Sequence, residues 1–250
     1  MFETRILELT SQTKTLRIHR PARKRVKPMK TLQKIMPSDL IVMDEFVADG
    51  ALRIELAYAQ EDNLLFDERI YRKDARLWLH TALADIVVQA ARLVKKQGFR
   101  LVLYDGLRTT DAQSRMLDTQ AVKNNPHWLE EPRLLSPPGA GAHPRGMAID
   151  CSLETLDGEL LDMGTAFDFL SNDPSPEANP AHREHPHHAQ DVMNNRGILD
   201  EAMIEAASLC DCELLLLAQE WWDFRLPPSI YEAYEPLSDG DLPPDIRMMR

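Results

Sequence analysis

Three separate segments of this 250-residue chain contain side chains suited to metal and acid–base chemistry. The first, GAHPRGMAIDCSL at 141–153, places His143 in a loop and Asp150 seven residues later, in an apolar run that predicts a strand. Gly146 allows a tight turn between them. Imidazole and carboxylate groups both bind zinc, at metal–ligand distances of about 2 Å. The segment therefore predicts two ligands of one metal ion, with purely structural roles as the alternative.

The second segment, QEWWDFRL at 219–226, follows an apolar run. Glu220 stands beside two tryptophans, and partial desolvation raises the pKa of a carboxyl group toward the range that suits a general base. The alternative is a surface glutamate next to core tryptophans.

The third segment, YDGLRTTDAQ at 104–113, places Arg108 just after a predicted buried strand. A guanidinium at a strand end can bind a carboxylate or stabilise an oxyanion. The alternative is an ordinary salt bridge with Asp105 or Asp111.

The elements that must position these segments follow from hydrophobic periodicity and from turn residues. We predict helices over 75–97, from Thr109 to the residues before Asn125, and over 189–209; strands over 99–105, 147–153, 159–163 and 214–217; and loops over 126–142 and 171–187. Asp157-Gly158 is a hairpin signal between two of the strands. Separate helices and antiparallel strand signals favour an α+β fold, a small antiparallel sheet flanked by helices.

Composition places limits on the class of protein. With 44% hydrophobic and 28% charged residues, the chain suits a globular domain. Residues 1–36 carry ten Lys or Arg against two Glu, a net charge of +8. Because the whole chain has a net charge of −11, the remaining residues carry −19. We predict a basic N-terminal extension over 1–36, a catalytic domain over 37–230 and an extended tail over 231–250. The acidic body disfavours nucleic-acid binding.

Targeting and redox features are sparse. We expect no membrane span, because no window approaches the roughly 18 consecutive apolar residues required. The N-terminus lacks the apolar core of a secretory signal, and the three cysteines have no zinc-binding spacing. Both observations favour a cytoplasmic protein with reduced thiols. The oligomeric state is left open.

In combination, these segments resemble one known family. The order DGxR, HxxGxAxD and EWW is similar to that of the D-alanyl-D-alanine dipeptidases of the M15 metallopeptidases, which include the VanX-type enzymes. Three further segments add to the resemblance: ELAYAQEDN at 55–63, LLDMGTAFDF at 160–169 and NNRGIL at 194–199. The resemblance covers roughly residues 40–230.

The resemblance implies a fold, an activity and a role for each residue. The fold would be the Hedgehog/DD-peptidase-like α+β fold, and the activity hydrolysis of D-Ala-D-Ala or a related short peptide from cell-wall metabolism. One divalent ion, zinc by preference, would be held by His143, Asp150 and the residue at 223. Glu220 would be the base and Arg108 the group that stabilises the tetrahedral intermediate. Substrate-binding positions would be Tyr58, Asp105 and Asp168.

The third metal ligand departs from the family pattern. The family has a histidine after EWW, and this chain has Asp223. Three possibilities stay open: a His/Asp/Asp site, which would suit a harder ion such as Mn²⁺ or Fe²⁺; a ligand from the histidines of the long loop; or an inactive homologue that binds or regulates. The loop histidines are His182, His185, His187 and His188. Gly141 also stands where the family has a serine, so a hydroxyl that could bind substrate is absent. This substitution bears on D-Ala-D-Ala specificity rather than on peptidase chemistry.

Overall fold

A computed structural model describes residues 31–63, 65–130 and 134–249. The predicted basic extension lies almost wholly outside these residues. The chain from Leu32 onward forms one compact unit. The helices are α1 (Thr81–Lys96), α2 (Thr110–Leu117), α3 (Gln120–Asn124), α4 (Gln190–Leu209) and α5 (Pro228–Tyr231). The strands are β1 (Leu40–Val42), β2 (Leu52–Ile54), β3 (Trp78–His80), β4 (Phe99–Asp105), β5 (Ala148–Thr155), β6 (Leu215–Leu216) and β7 (Asp223–Arg225).

Five of these strands form the central sheet, in the order β2-β4-β5-β7-β6. The β4–β5, β5–β7 and β6–β7 pairs are antiparallel, whereas β2 runs parallel to β4. A separate antiparallel ribbon joins β1 and β3. The predicted α+β class is confirmed, with the parallel β2–β4 pair as a departure from a purely antiparallel sheet.

The helix α1 packs between the sheet and α4. Its predicted apolar stripe (Leu79, Leu83, Ile86, Ala90, Val94) is buried throughout. The helix begins at Thr81 rather than 75, because residues 78–80 pair with β1 and the His80 ring caps the helix by accepting from the Ala82 N–H. Tertiary pairing thus shortens a helix that periodicity alone extends.

Two predicted strands differ in the structure. The segment 159–163 forms no strand, and its backbone pairing with β5 is an isolated bridge between Glu154 and Leu160. The predicted buried strand 214–217 is a two-residue strand at the sheet edge, where Leu215 is exposed. Apolar composition does not distinguish an edge strand from a central one, because the two differ only in their neighbours. Among the described helices, none combines the length and apolar character needed to cross a bilayer.

Candidate active site

Three aspartates stand side by side across the centre of the sheet. In the strand register Asp105 of β4 is opposite Asp150 of β5, and Asp150 is opposite Asp223 of β7. All three are buried. Like charges directly opposite each other in a sheet repel, so this row requires compensating positive charge.

His143 lies over this row, in a short 3₁₀ turn that ends at Gly146. Its Nδ1 is 2.8 Å from the Gly106 carbonyl oxygen, which can only accept, so Nδ1 carries a proton. The other ring nitrogen, Nε2, is 3.5 Å from Asp150 Oδ1 and 3.5 Å from Asp223 Oδ2. The nitrogen available as a ligand therefore faces two carboxylates.

Electrostatics around the His143 ring favour positive charge. Burial and the nearby Arg108 guanidinium act to lower the pKa of His143. The carboxylates of Asp150 and Asp223 outweigh both and raise it to about 10. Asp150 Oδ1 is buried without a hydrogen-bond partner among the described residues. Buried carboxylate oxygens are rarely left unpaired, so this atom marks a place for a cation.

Two sets of ligands can be drawn around the ring. Asp105, His143 and Asp150 offer ligand atoms that all lie within 4.8 Å of one another. However, Asp105 approaches the protonated Nδ1, at 3.6 Å, and already accepts from Tyr71 and Arg108. The Nε2 side, which Asp150 and Asp223 face, is the side on which the ring has a lone pair to offer a metal.

The spacing on that side agrees with a tetrahedral ion. Two ligand atoms about 2.1 Å from a tetrahedral metal lie about 3.4 Å apart. Both distances from His143 Nε2 to the carboxylates of Asp150 and Asp223 are 3.5 Å. His143 with either carboxylate therefore fits a divalent metal, whereas Asp223 is not in the described group whose ligand atoms all lie within 4.8 Å of one another and would have to shift to complete the set.

Arg225 holds Asp223 in place. These residues are two apart on β7 and share a face of the strand. Arg225 Nε donates to Asp223 Oδ1 at 2.7 Å, and Nη2 donates to Oδ2. Burial opposes ionisation of Asp223, but Arg225 and His143 prevail and lower its pKa. The two-residue spacing between Asp223 and Arg225 was the signal that could have identified Arg225, which sequence reasoning missed.

Glu220 reaches the site because the chain turns before β7. The Asp223 N–H donates to the Glu220 carbonyl at 3.3 Å, so Glu220 lies in a turn rather than on the strand. This turn resolves the difficulty that residues three apart on a strand face opposite ways. Burial, with the charges of Asp223 and Asp150, raises the pKa of Glu220 to about 8. A cleft of about 240 Å³ includes Glu220 in its lining.

Arg108 joins the aspartate row to the cleft. Its Nε donates to Asp105 Oδ2 at 2.8 Å, and Nη2 donates to Asp150 Oδ2 at 3.2 Å. Its side chain is 16% exposed. Asp105 accepts from Tyr71 at 2.7 Å and is not one of the described residues that line the cleft. The structure thus places Asp105 outside the described lining and in contact with Arg108, and its predicted part in substrate binding stays a prediction.

Tyr58 and Asp168 lie next to Arg108 in the lining. The Tyr58 hydroxyl donates to Asp168 Oδ1 at 3.1 Å, and Arg108 Nη2 is 3.5 Å from that hydroxyl. Asp168 adopts φ +60°, a left-handed conformation that a non-glycine residue keeps only under constraint. Burial and the charge of Asp150 raise the pKa of Asp168 to about 7.

The constraint on Asp168 comes from aromatic packing and from α4. Phe167 stacks on Tyr104 at 4.7 Å and meets Trp222 edge-on at 5.5 Å. Arg196 of α4, within the NNRGIL segment, donates to the carbonyls of Met163, Pro180 and His182. One buried guanidinium thereby ties Met163 to the loop segment at Pro180 and His182.

Most predicted site residues meet in this cleft. Its lining includes Tyr58, Arg108, His143, Asp150, Asp168, Glu220 and Asp223. None of the four loop histidines is among its lining residues, all of which belong to the described part of the chain. His185 and His188 instead face the carbonyls of Pro176 and Pro180. The loop does not replace the missing histidine ligand.

Comparisons with known proteins cover the same region. A model of the M15 peptidase family, described as D-ala-D-ala dipeptidase, matches residues 36–236. The D-alanyl-D-alanine dipeptidase of Escherichia coli (strain K12) is 29% identical over 189 residues, or 75% of this chain and 84% of that protein. The D-alanyl-D-alanine dipeptidase of Enterococcus faecium is 30% identical over 161 residues, or 60% of this chain and 73% of that protein.

Proposed function

Because the chain belongs to the M15 family of metal-dependent D-Ala-D-Ala dipeptidases, we propose that it hydrolyses D-Ala-D-Ala or a closely related dipeptide of cell-wall metabolism. The proposal assigns the metal to His143, Asp150 and Asp223. The observation that carries it is the buried, unpaired Asp150 Oδ1, 3.5 Å from the free nitrogen of His143.

Zinc is the ion proposed for this site. When bound, a divalent ion supplies Lewis acidity that polarises the scissile carbonyl and makes a nearby water more acidic. One imidazole and two carboxylates also suit Mn²⁺ or Fe²⁺, because oxygen ligands favour harder ions. Arg225 forms a salt bridge with Asp223 and so offsets its negative charge. The charge that the metal experiences from Asp223 is therefore closer to that of the neutral histidine expected at this position.

Glu220 is the proposed general base. Its carboxylate takes a proton from the attacking water and returns it to the leaving amine. Asp150 and Asp223 raise the pKa of Glu220 through their negative charge, and they do so less when they share a cation. Glu220 is then ionised near neutral pH and still basic enough to accept a proton.

Arg108 and the Tyr58–Asp168 pair complete the assignment. Arg108 Nη2, beside Asp150, can donate to the oxyanion that develops as water adds to the carbonyl. Asp168, supported by the Tyr58 hydroxyl, provides an anion for the substrate ammonium group. Both roles use the chain's own groups at positions that line one cleft.

Release of free alanine tests the proposal. The full chain is incubated with D-Ala-D-Ala, and with L-Ala-L-Ala as a stereochemical control, in the presence of Zn²⁺, Mn²⁺, Fe²⁺ or Co²⁺. We expect metal-dependent turnover of the D,D-dipeptide. Glu220→Gln should lower kcat by about 10²- to 10⁴-fold, the usual range for loss of a general base. The matched control is Glu205→Gln, an equal change of charge on the exposed face of α4.

Metal content separates the possible outcomes. Elemental analysis should find about one ion per chain in the wild type and in Glu220→Gln, and much less in Asp223→Ala. Peptide binding without turnover, with every metal, would contradict the proposal and favour a binding or regulatory protein. Undiminished metal content in Asp223→Ala would contradict the assigned ligand set.

A further inference from the structure

Arg225 uses only part of its hydrogen-bonding capacity. Its Nε and Nη2 hold the two oxygens of Asp223, and Nη1 donates to none of the described residues. The side chain is 16% exposed and lines the cleft. A guanidinium has five N–H donors in a planar fork, so the edge that includes Nη1 is available to a ligand.

The cleft contains two guanidinium groups, and they have different surroundings. Arg108 stands beside Asp150, next to the proposed metal ligands and therefore where the scissile carbonyl must lie. Arg225 is paired with Asp223, whose Oδ2 also faces the His143 ring nitrogen. The two cations thus suit two different groups of a substrate.

A series of contacts within the lining links the Asp168 carboxyl to the Arg225 guanidinium through the proposed metal ligands. Asp168 is joined to Arg108 through the Tyr58 hydroxyl, and Arg108 to Asp150. His143 follows Asp150 at 3.5 Å. Asp223 and Arg225 come last. A dipeptide has an ammonium group at one end, a carboxylate at the other and the scissile bond between them, which is the same order of charge.

A free substrate carboxylate needs such a cation here. The cleft lining holds four carboxyl groups, those of Asp150, Asp168, Glu220 and Asp223. An anionic terminus placed among them without a positive partner would be repelled. Gly141, also in the lining, provides no side-chain donor. Of the two guanidinium groups in the described lining, Arg108 already binds Asp105 and Asp150, which leaves Arg225 to accept the terminus.

We propose that Arg225 determines specificity by binding the free C-terminal carboxylate of the substrate through its Nη1 edge, while its other edge holds Asp223. This inference rests on the proposed dipeptidase function and narrows it to short peptides with an unmodified C-terminus. A C-terminal amide would lose the charge-assisted contact. A longer peptide would place further residues where the carboxylate meets Arg225.

The test compares two substrates in each variant. Hydrolysis of D-Ala-D-Ala and of its C-terminal amide is measured for the wild type, Arg225→Met and Arg225→Lys. We expect the wild type to favour the free acid in kcat/KM by about 10- to 100-fold, the usual value of a hydrogen bond to a charged group. Arg225→Met should remove most of this preference, mainly through KM. Arg225→Lys, which keeps the charge, should restore part of it.

The ratio of the two substrates distinguishes recognition from support of Asp223. If Arg225 only positions Asp223, its loss will slow both substrates equally and leave the ratio unchanged, which would overturn the inference. A wild type with no preference for the acid would also overturn it. Metal content is measured in each variant, so that loss of the ion is not mistaken for loss of recognition.

Binding measurements keep this inference separable from the proposed function. Affinities of the acid and the amide for Glu220→Gln are followed by the fluorescence of the cleft residue Trp222. Tighter binding of the acid that disappears in Glu220→Gln/Arg225→Met supports carboxylate recognition even if the wild type hydrolyses neither peptide. Equal affinities of acid and amide would contradict the inference although turnover succeeds.

Discussion

Charge compensation explains the individual residues of the site. Three adjacent aspartates are tolerated in the sheet because Arg108 neutralises one end of the row and Arg225 the other. The middle carboxylate keeps an oxygen without a partner. Buried anions are stable only when they are paired or bound to metal. The unpaired oxygen of Asp150 is therefore the atom that a bound cation would neutralise. In this chain the change from histidine to Asp223 is accompanied by a guanidinium that offsets its charge.

At the residue scale, the proposed contact between Asp168 and the substrate ammonium predicts that binding depends on pH. Its pKa of about 7 means that the carboxyl gains a proton, and loses its charge, as pH falls through neutrality. In Glu220→Gln, which removes the Glu220 carboxyl whose pKa is also raised, D-Ala-D-Ala should bind about tenfold more weakly per pH unit below 7. Calorimetry between pH 5.5 and 8 measures this dependence.

Two comparisons make the pH prediction specific to the ammonium contact. The N-acetylated dipeptide, which has no ammonium group, should bind with little dependence on pH across this range. Asp168→Asn should bind the free dipeptide weakly at every pH. A dependence that persists in Asp168→Asn would assign the titration to another group.

At the element scale, the turn that carries His143 depends on Gly146. This residue adopts φ +62°, and a Cβ added there would lie 2.9 Å from the backbone nitrogen of His80. The His80 N–H also donates to the Gly146 carbonyl at 2.8 Å. The close approach anchors the His143 turn to the start of α1, which is why a glycine is required.

Gly146→Ala should therefore destabilise the protein by about 2–4 kcal/mol, through backbone strain together with a clash against backbone. Gly158→Ala is the matched control, since Gly158 also has a positive φ, +93°, but its added Cβ meets nothing within 4 Å. That variant should lose only about 1 kcal/mol. Urea denaturation measures both, and equal losses would show that the contact with His80 is unimportant.

At the scale of the whole molecule, the C-terminal tail is part of the compact unit. The domain boundary at residue 230 stays a prediction, but the chain beyond it buries Leu237, Leu242, Ile246 and Met248. Asp239 is the polar centre of this packing. Its carboxylate accepts from the Thr109 hydroxyl at 2.8 Å and from the Met249 N–H at 2.7 Å. Thr109 follows Arg108 directly, so the tail supports the segment that carries this site residue.

Asp239→Asn keeps the size of the side chain but replaces one carboxylate oxygen, which accepts hydrogen bonds, by an NH₂ group, which donates them. This NH₂ group would face the N–H or O–H donors that now bind Asp239. We expect a loss of about 1–3 kcal/mol in the free energy of unfolding, the cost of a buried polar group left unsatisfied. Asp245→Asn makes the same change on an exposed side chain of the tail and should stay within about 0.5 kcal/mol of the wild type. Thermal unfolding at neutral pH compares them. A similar small effect at both positions would mean that the tail is held by apolar burial alone.

Local sequence was sufficient for the α+β class and for most of the residues that meet in the cleft. Helix periodicity predicted α1 and α4, because burial of one face leaves a repeating apolar pattern. The motifs around Arg108, His143 and Glu220 were recognisable because their chemistry depends on residue type and local spacing.

Tertiary structure decided how these groups meet. The opposition of Asp105, Asp150 and Asp223 depends on strand register, which is set by pairing between segments remote in sequence. The position of Glu220 depends on a turn, and the exclusion of the loop histidines depends on the path of a long loop. The pairing of Arg225 with Asp223 also became evident only in the fold. Residue identity determined which chemistry was available to this protein, and long-range packing determined which groups perform it, because distances between remote residues are not encoded locally.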